Sequence, residues 1–389
     1  MRVLVLAGAT YAEPSTRRMF DHIAAHGVEV VLAMPRRIEH PFTPAEVPET
    51  PWPTPGVRLV RLDCWYSHRN MTHVLLRGLP RLIRECRPDI IHCVMEPWSV
   101  TCLQAERVIP TLAKRPLLGI QPAETKPEQG GRLAGRVRTA LYRRSISRCD
   151  YLVGWSTKAL DVASRLGLNG LTGRVFPAVG VDTDLFHPAT LEDRAELRSE
   201  MGLDTSSRLL VGFVGRFSEE KGVADLIEAM DAVAAPGISL AMMGDGPLAG
   251  RALAAAATRP WLKILPPRDQ AGVARFMRAL DLLAVPSRTT SSWEEQFGLV
   301  LVEAMACGLP IVASTSGAIP EVLGSAGWIF REGDVSELAG CLRRADSSKD
   351  ERGRLGAFGR RRVESHYSSP AIADRLVTLW ASLREREAA

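Results

Sequence analysis

Short apolar runs alternate with longer stretches of helical periodicity along the whole chain. In the first half the runs Val3–Ala7, Val28–Ala33, Arg58–Leu62, Ile90–Val94, Leu117–Ile120 and Tyr151–Val153 read as strands. Ser15–Ala25, Met71–Glu85 and Arg132–Arg148 carry apolar residues at helical spacing between them. Runs of Val, Ile and Leu without polar alternation predict parallel strands covered by helices on both faces. The pattern then restarts. Leu209–Val214, Leu240–Met243, Leu262–Leu265, Leu282–Val285 and Ile311–Ala313 read as strands, and Gly222–Val233, Gly272–Leu280 and Gly298–Cys307 as helices. Two successive strand–helix series predict an α/β chain of two doubly wound, Rossmann-like domains.

The join falls in Phe186–Ser206, which holds a polar helix but no strand. The expected domains are residues 1–188 and 189–369. A final helix over 370–386 follows the second series and is expected to pack back on the first domain. Pro35–Gly56, rich in proline, is the longest irregular stretch. Open parallel sheets bind ligands at the carboxyl ends of their strands, near the point where strand order reverses. Two such sheets facing a central cleft would place the site there.

Composition narrows the class. With 389 residues, 46% hydrophobic and 24% charged, the chain can fill two cores, which excludes wholesale disorder and a bundle of membrane spans. Seven cysteines, an odd number without a C-x-x-C pair, argue against a disulfide framework or zinc knuckle. They fit a reducing, cytoplasmic compartment. The opening run Met1–Gly8 is short and leads into charged amphipathic sequence, so it reads as a buried strand rather than a leader. The net charge is +5, but residues 1–150 alone hold 22 Lys and Arg against 14 Asp and Glu. A basic first half suits anionic partners, either phosphates or the inner face of a membrane.

Two segments of the second half carry chemistry. Val214-Gly215-Arg216-Phe217-Ser218-Glu219-Glu220-Lys221-Gly222 links a strand to a helix. Its glycines let backbone approach a ligand, and Arg216 and Lys221 add two cations at a helix start that already favours anions. A diphosphate suits such a loop. The second segment runs from Glu295-Gln296-Phe297-Gly298 into Leu299-Val300-Leu301-Val302-Glu303. A helix starting near Gly298 places Glu295 on the preceding loop and Glu303 roughly 7–8 Å along the axis. One carboxylate could then meet a sugar and the other a ribose diol, with phosphates at the helix start between them.

These residues resemble a known family. G-R-F-x-x-x-K-G at 215–222, Gly244-Asp245-Gly246-Pro247, the E-x7-E spacing of Glu295 and Glu303, and Ser316-Gly317-Ala318-Ile319-Pro320-Glu321 are similar to the retaining GT-B glycosyltransferases of family 4, the glycosyl transferases group 1. The resemblance covers nearly the whole second domain. It implies a GT-B fold and transfer of a hexose from a nucleoside-diphosphate sugar, UDP placed ahead of GDP, to an acceptor hydroxyl with retention. On that resemblance Arg216 and Lys221 bind the donor diphosphate, Glu295 holds the transferred sugar and Glu303 the ribose. Gly215, Gly244 and Gly246 bring backbone near the donor. The amides of Phe297, Gly298, Leu299 and Val300 face sugar and phosphate, and the base stacks near Leu265–Arg268. No cofactor or metal is required.

The first half matches more loosely. Glu96-Pro97-Trp98-Ser99 resembles a family turn after the fourth strand, which puts Glu96 on the acceptor or sugar side. Gln121 stands where many relatives carry a histidine beside the sugar. An amide can bind a hydroxyl there but cannot switch a proton. Asp182-Thr183-Asp184 has the D-x-D form of a metal motif but sits in a linker turn, so no metal is assigned. Arg77, Arg81 and Arg84 on one helix, and Arg132, Arg136, Arg138, Arg143, Arg144 and Arg148 on another, could meet anionic lipid or cover their own core.

The leading expectation is thus a metal-independent retaining glycosyltransferase acting in glycan, glycolipid or glycosylated-metabolite synthesis. The alternative is a catalytically weak GT-B subunit that binds sugar ligands or partners an active transferase. A nicotinamide dehydrogenase would need G-x-G-x-x-G after the first strand, and Gly8 alone does not supply it. The basic half lacks interleaved aromatics and a helix-turn-helix, which excludes nucleic acid as the partner.

Overall fold

Two parallel sheets organise the chain, one in each of two units: Met1–Gly180 with Tyr367–Ala389, and Val181–His366. A computed structural model describes residues 1–38, 47, 52–65, 74–126, 132–166, 172–233 and 235–388. In the first unit the elements are β1 (Arg2–Ala7), α1 (Arg18–Ala25), β2 (Glu29–Pro35), β3 (Val57–Leu62), β4 (Cys64–Trp65), β5 (Leu75–Leu76), α2 (Leu79–Cys86), β6 (Ile90–Val94), α3 (Val100–Val108), β7 (Leu117–Ile120), α4 (Arg132–Ile146), β8 (Tyr151–Gly154), α5 (Thr157–Arg165) and β9 (Thr172–Val175). The seven-stranded sheet runs β3-β2-β1-β6-β7-β8-β9, and its order reverses between β1 and β6. Val3–Leu6 and Ile90–Cys93 are fully or almost fully buried, as strands under helices on both faces must be.

The second unit holds α6 (Leu191–Glu200), β10 (Leu209–Val214), α7 (Val223–Val233), β11 (Ile238–Met243), α8 (Ala249–Ala256), β12 (Leu262–Leu265), α9 (Gln270–Ala279), β13 (Leu282–Val285), α10 (Leu299–Ala306), β14 (Ile311–Ser314), α11 (Ile319–Leu323), β15 (Gly327–Phe330), α12 (Val335–Ser347) and α13 (Lys349–His366). Its six-stranded sheet runs β12-β11-β10-β13-β14-β15, reversing between β10 and β13. The last helix, α14 (Ser369–Ala388), belongs to the first unit and packs against α1.

Several elements differ from the sequence reading. The helix expected over Met71–Glu85 is α2 alone, and residues 71–73 lie outside those described. Gly78, at φ +83°, turns the chain into the helix, and Pro80 suits its first turn. Leu75–Leu76 instead pair antiparallel with Cys64–Trp65. Most of the irregular Pro35–Gly56 stretch also lies outside the described residues. The sequence reading contains neither of the edge strands β9 and β15: β9 (Thr172-Gly173-Arg174-Val175) has no apolar run, whereas β15 carries Trp328-Ile329-Phe330, as long a run as that of β14.

The chain leaves the first unit at Gly180, ahead of the expected 188/189 join, and re-enters it at Tyr367. A Cβ at Gly180 would lie 2.4 Å from Ser369 Cα, so the two passes run in backbone contact. Ser369 Oγ donates to the Gly180 carbonyl at 3.1 Å. Beyond Gly180, buried Phe186 belongs to the second unit, where its carbonyl accepts from Arg360 of α13 at 2.9 Å.

Inside the first unit α14 is held by Trp380, which is fully buried. Its Nε1 donates to Tyr151 Oη at 2.7 Å, and its ring stands edge-on to His92 at 5.7 Å. Trp380→Ala is expected to destabilise this unit by about 3–5 kcal/mol through lost packing. Trp380→Phe, which removes the N–H and keeps most of the apolar ring, should cost about 1 kcal/mol. Urea denaturation of the two variants measures the difference; equal losses would show that the hydrogen bond, not the ring, holds the helix.

Candidate functional site

In the second unit the loops after β10, β11 and β13 crowd together at the carboxyl ends of their strands. Gly215 N donates to Met243 O at 3.1 Å, Phe217 N to Asp245 O at 2.8 Å, and Leu248 N to Phe217 O at 2.8 Å. A Cβ at Gly244 would lie 1.9 Å from Gly215 O, and one at Gly246 2.7 Å from Phe217 O. The three glycines marked from sequence are thus one interlocked stretch of backbone. Gly222 (φ +66°) closes the loop before α7, and a Cβ there would meet Pro286 O at 1.9 Å. Arg216 is exposed, with its stem alongside Gly246.

The structure brings Lys221 and Glu295 together. Lys221 Nζ lies 2.7 Å from Glu295 Oε2 and 4.5 Å from the centre of the Trp293 ring. Ser287, at the end of β13, donates its hydroxyl to the same carboxylate oxygen at 3.0 Å. Glu295 is 7% exposed, so ion pair and hydroxyl together offset the loss of water around the charge. Its backbone is gripped as well: Ala318 N donates to Glu295 O at 2.8 Å, and a Cβ at Gly317 (φ +55°) would stand 2.0 Å from that oxygen.

Phe297 is buried, Gly298 adopts φ +79°, and α10 starts at Leu299. The first amides of a helix have no carbonyl within it to bond, so those of Leu299 and Val300 are donors at the strand-end loops. Glu303, one turn on and half-buried, accepts from Gln270 Nε2 of α9 at 3.1 Å. Burial pushes its carboxyl up to about 7, against the pull of that amide.

Sequence reasoning marked Lys221, Glu295, Glu303 and the glycines but missed Ser287, Trp293 and Gln270. Trp293 carried a signal in retrospect, as a lone tryptophan in a polar loop.

In the first unit the turn after β6 holds Glu96. Its Oε1 accepts from Ala123 N and Glu124 N at 3.0 and 2.9 Å, tying this turn to the one after β7. Burial, and then the neighbouring Glu124, push Glu96 up to about 8, so it is protonated at neutral pH. Glu124 pairs with Arg138, whose guanidinium lies 4.8 Å from the centre of the Trp98 ring.

Gln121 is engaged by the fold rather than presented to a ligand. It is 1% exposed, accepts from His92 Nε2 at 2.9 Å and donates to Phe176 O at 3.0 Å. Tyr151 Oη donates to His92 Nδ1 at 3.0 Å and accepts from Trp380, so all donors run one way along the chain. Burial lowers His92 to about 4, which keeps it neutral as this arrangement requires. Asp182 accepts the amides of Asp184 and Leu185 within its own turn. Among the described residues no group of three or more His, Cys, Asp or Glu could hold a metal ion. Among the same residues no helix is long and apolar enough to cross a membrane.

Comparison with known proteins finds glycosyltransferases. Residues 208–346 match the family of glycosyl transferases group 1, and residues 12–178 the glycosyl transferase 4-like domain. The GDP-mannose-dependent monoacylated alpha-(1-6)-phosphatidylinositol monomannoside mannosyltransferase of Corynebacterium glutamicum is 33% identical over 210 residues, which is 52% of this chain. The match spans about half of that relative, 55% of its length. Among solved structures, sucrose-phosphate synthase from Thermosynechococcus elongatus superposes with a TM-score of 0.76 at 19% identity, over 99% of this chain and 100% of that one. Anabaena Alr3699/HepE in complex with UDP gives 0.72 at 18% identity, over 98% and 100%. Both likenesses show the GT-B fold.

The close backbone approach behind Glu295 makes a direct test. Gly317→Ala should destabilise the second unit by about 1–3 kcal/mol, since a side chain must adopt a left-handed backbone against Glu295 O. Gly340→Ala in α12, where a Cβ meets nothing within 4 Å, is the control and should stabilise by up to about 1 kcal/mol. Chemical denaturation of both variants checks the pair; a neutral Gly317→Ala would show that the loop relaxes freely.

Proposed function

The chain belongs to the family 4 glycosyltransferases of group 1, and on that premise we propose that its second unit binds a nucleoside-diphosphate sugar for transfer to an acceptor hydroxyl. The observation that carries this reading is the pair of half-buried Lys221 and buried Glu295 beside the glycine-lined backbone and the α10 start. The lysine and the carboxylate satisfy each other. When the donor enters, its diphosphate takes Lys221 together with exposed Arg216 and the α10 amides. Glu295, still held by Ser287, is then available to sugar hydroxyls. Glu303 takes the ribose diol.

Departure of the diphosphate concentrates negative charge where these cations and amides lie, so stabilisation there acts on the transition state. The acceptor hydroxyl approaches from the same face, its proton passing to the leaving phosphate oxygen, which retains the anomeric configuration. Positioning and electrostatics suffice in this scheme, without a metal. The acceptor is a glycan, a lipid or a small molecule, and Glu96, held neutral, is a hydrogen-bond donor on its side. We place the reaction in the cytoplasm, with peripheral contact to the inner membrane face. The C. glutamicum relative is named for GDP-mannose and the Anabaena structure holds UDP, so UDP-sugars and GDP-sugars are both donors to assay.

Arg216→Ala and Lys221→Ala should each lower kcat/KM about 10²-fold or more. Steady-state transfer, or donor hydrolysis without acceptor, reads the effect; wild-type rates in both variants would remove the diphosphate assignment. Glu303 supplies a pH test. Its carboxyl, raised to about 7, must ionise to accept two ribose hydroxyls. Affinity for the nucleotide sugar should therefore climb up to about tenfold per pH unit below 7 and level off above it. Glu303→Gln should bind more weakly and without that slope. Calorimetric titration across neutral pH measures both; a flat wild-type profile would show that Glu303 does not hold the ribose as a carboxylate.

A further inference from the structure

Helix α4 leaves two large apolar side chains in water. Leu133 and Val137, one turn apart, are 77% and 52% exposed. Among the described residues no other element exposes two. Helical spacing puts exposed Ala140 on the same stripe, with exposed Arg136, Arg143 and Arg144 around it and Arg148 just beyond the last turn. From residue 132 to 149 there is no Asp or Glu. Arg138 turns to the other side and pairs with Glu124. Glu106 of α3, its side chain 1% exposed, lies 3.7 Å from Arg144 and Arg148 and offsets part of their charge from beneath. Arg136 and Arg143 have no acidic partner among the described residues.

We infer that α4 docks on an anionic phospholipid surface, with Leu133 and Val137 entering the headgroup–acyl boundary and the flanking arginines meeting headgroup phosphates. A bilayer accepts both features in one plane, apolar side chains inward and cations at the phosphate level. A nucleic acid would take the cations and leave Leu133 and Val137 in water. A second copy, meeting the same face about a two-fold axis, would set arginine against arginine. Helix α2 does not offer this combination. Arg81 pairs there with Glu85 at 2.6 Å, Arg84 donates to Pro80 O at 3.3 Å, and Arg77 precedes the helix and lies over Trp65.

This inference deepens the membrane contact in the proposed function. Its test is binding without donor or acceptor, so its failure and the failure of sugar transfer are distinguishable. The full chain is sedimented with vesicles of phosphatidylglycerol and phosphatidylcholine in equal parts, and with phosphatidylcholine alone. Binding is expected to the first only and to fall steeply at about 1 M salt, where charges are screened within ~3 Å. Arg136→Gln and Arg143→Gln should each weaken it about fivefold. Leu133→Ser with Val137→Ser should weaken it about tenfold or more while leaving the circular dichroism spectrum unchanged. Ala140→Asp sets an anion on the stripe without touching the core and should do the same. Equal binding to both vesicles, no binding to either, or variants that bind like wild type would overturn the inference. So would retention on a nucleic acid, or self-association abolished by the Leu133/Val137 change, in a chain that ignores vesicles.

Discussion

No side chain fits where the strand-end loops of the second unit meet, and the site follows from that constraint. At Gly222, Gly244 and Gly317 a Cβ would stand about 2 Å from a carbonyl oxygen of a neighbouring loop, far inside van der Waals contact. The backbone can therefore come together as a continuous surface, with its amides near the start of α10. Side chains with charge are admitted only at the margin, where Lys221, Glu295 and exposed Arg216 lie. The reversal of strand order between β10 and β13 makes room for this, because loops on either side of a reversal leave in opposite directions. Glycine spacing, helix start and charge placement are consequences of one packing problem, and for that reason they occur together in the sequence.

That coupling also governs what could be read from sequence. Strands β6, β10 and β13 have the bounds their apolar runs predicted, because burial on both faces leaves no freedom in composition. The helix before Glu85 was read too long because Leu75, Leu76, Leu79 and Leu82 fit helical spacing, and the spacing does not register that Gly78 takes a left-handed turn. The short edge strands β9 and β15 have one partner each, and β9 has a single apolar residue, whereas β15 carries Trp328-Ile329-Phe330. In the site, Lys221 and Glu295 were legible as chemistry but not as partners: they are 74 positions apart, and contact between loops is written in no local pattern. Ser287 and Gln270 escaped for the same reason.

The first unit solves the same topology with different polar content. Its sheet also reverses, between β1 and β6, and the turns after β6 and β7 are joined by Glu96 accepting two amides. Behind them the hydrogen-bond chain from Trp380 through Tyr151 and His92 to Gln121 crosses the sheet and ends on a backbone carbonyl. Every donor in it has one acceptor, and the sequence of directions requires a neutral imidazole. A protonated His92 would carry a donor on each nitrogen, and Tyr151 Oη would then have to accept from both His92 and Trp380. Burial keeps His92 far below its ordinary value, so fold and protonation state support each other. Gln121 therefore orients the strand end rather than reaching outward.

A buried ion pair is a weak source of stability, since removing both charges from water costs about what their attraction returns. The Lys221–Glu295 pair is better understood through what each member does without the other. Glu295 alone would be a buried carboxylate with one hydroxyl to answer it, and Lys221 alone would point a cation at the Trp293 ring. Each holds the other in place. In the proposed reading a diphosphate would offer Lys221 more than one carboxylate can, and sugar hydroxyls would return to Glu295 the hydrogen bonds it gives up. The exchange costs little because the loops around the pair are already fixed by backbone contact. Under that proposal only two side chains would need to change partners, and the binding free energy of the phosphates would be left to act on the transition state.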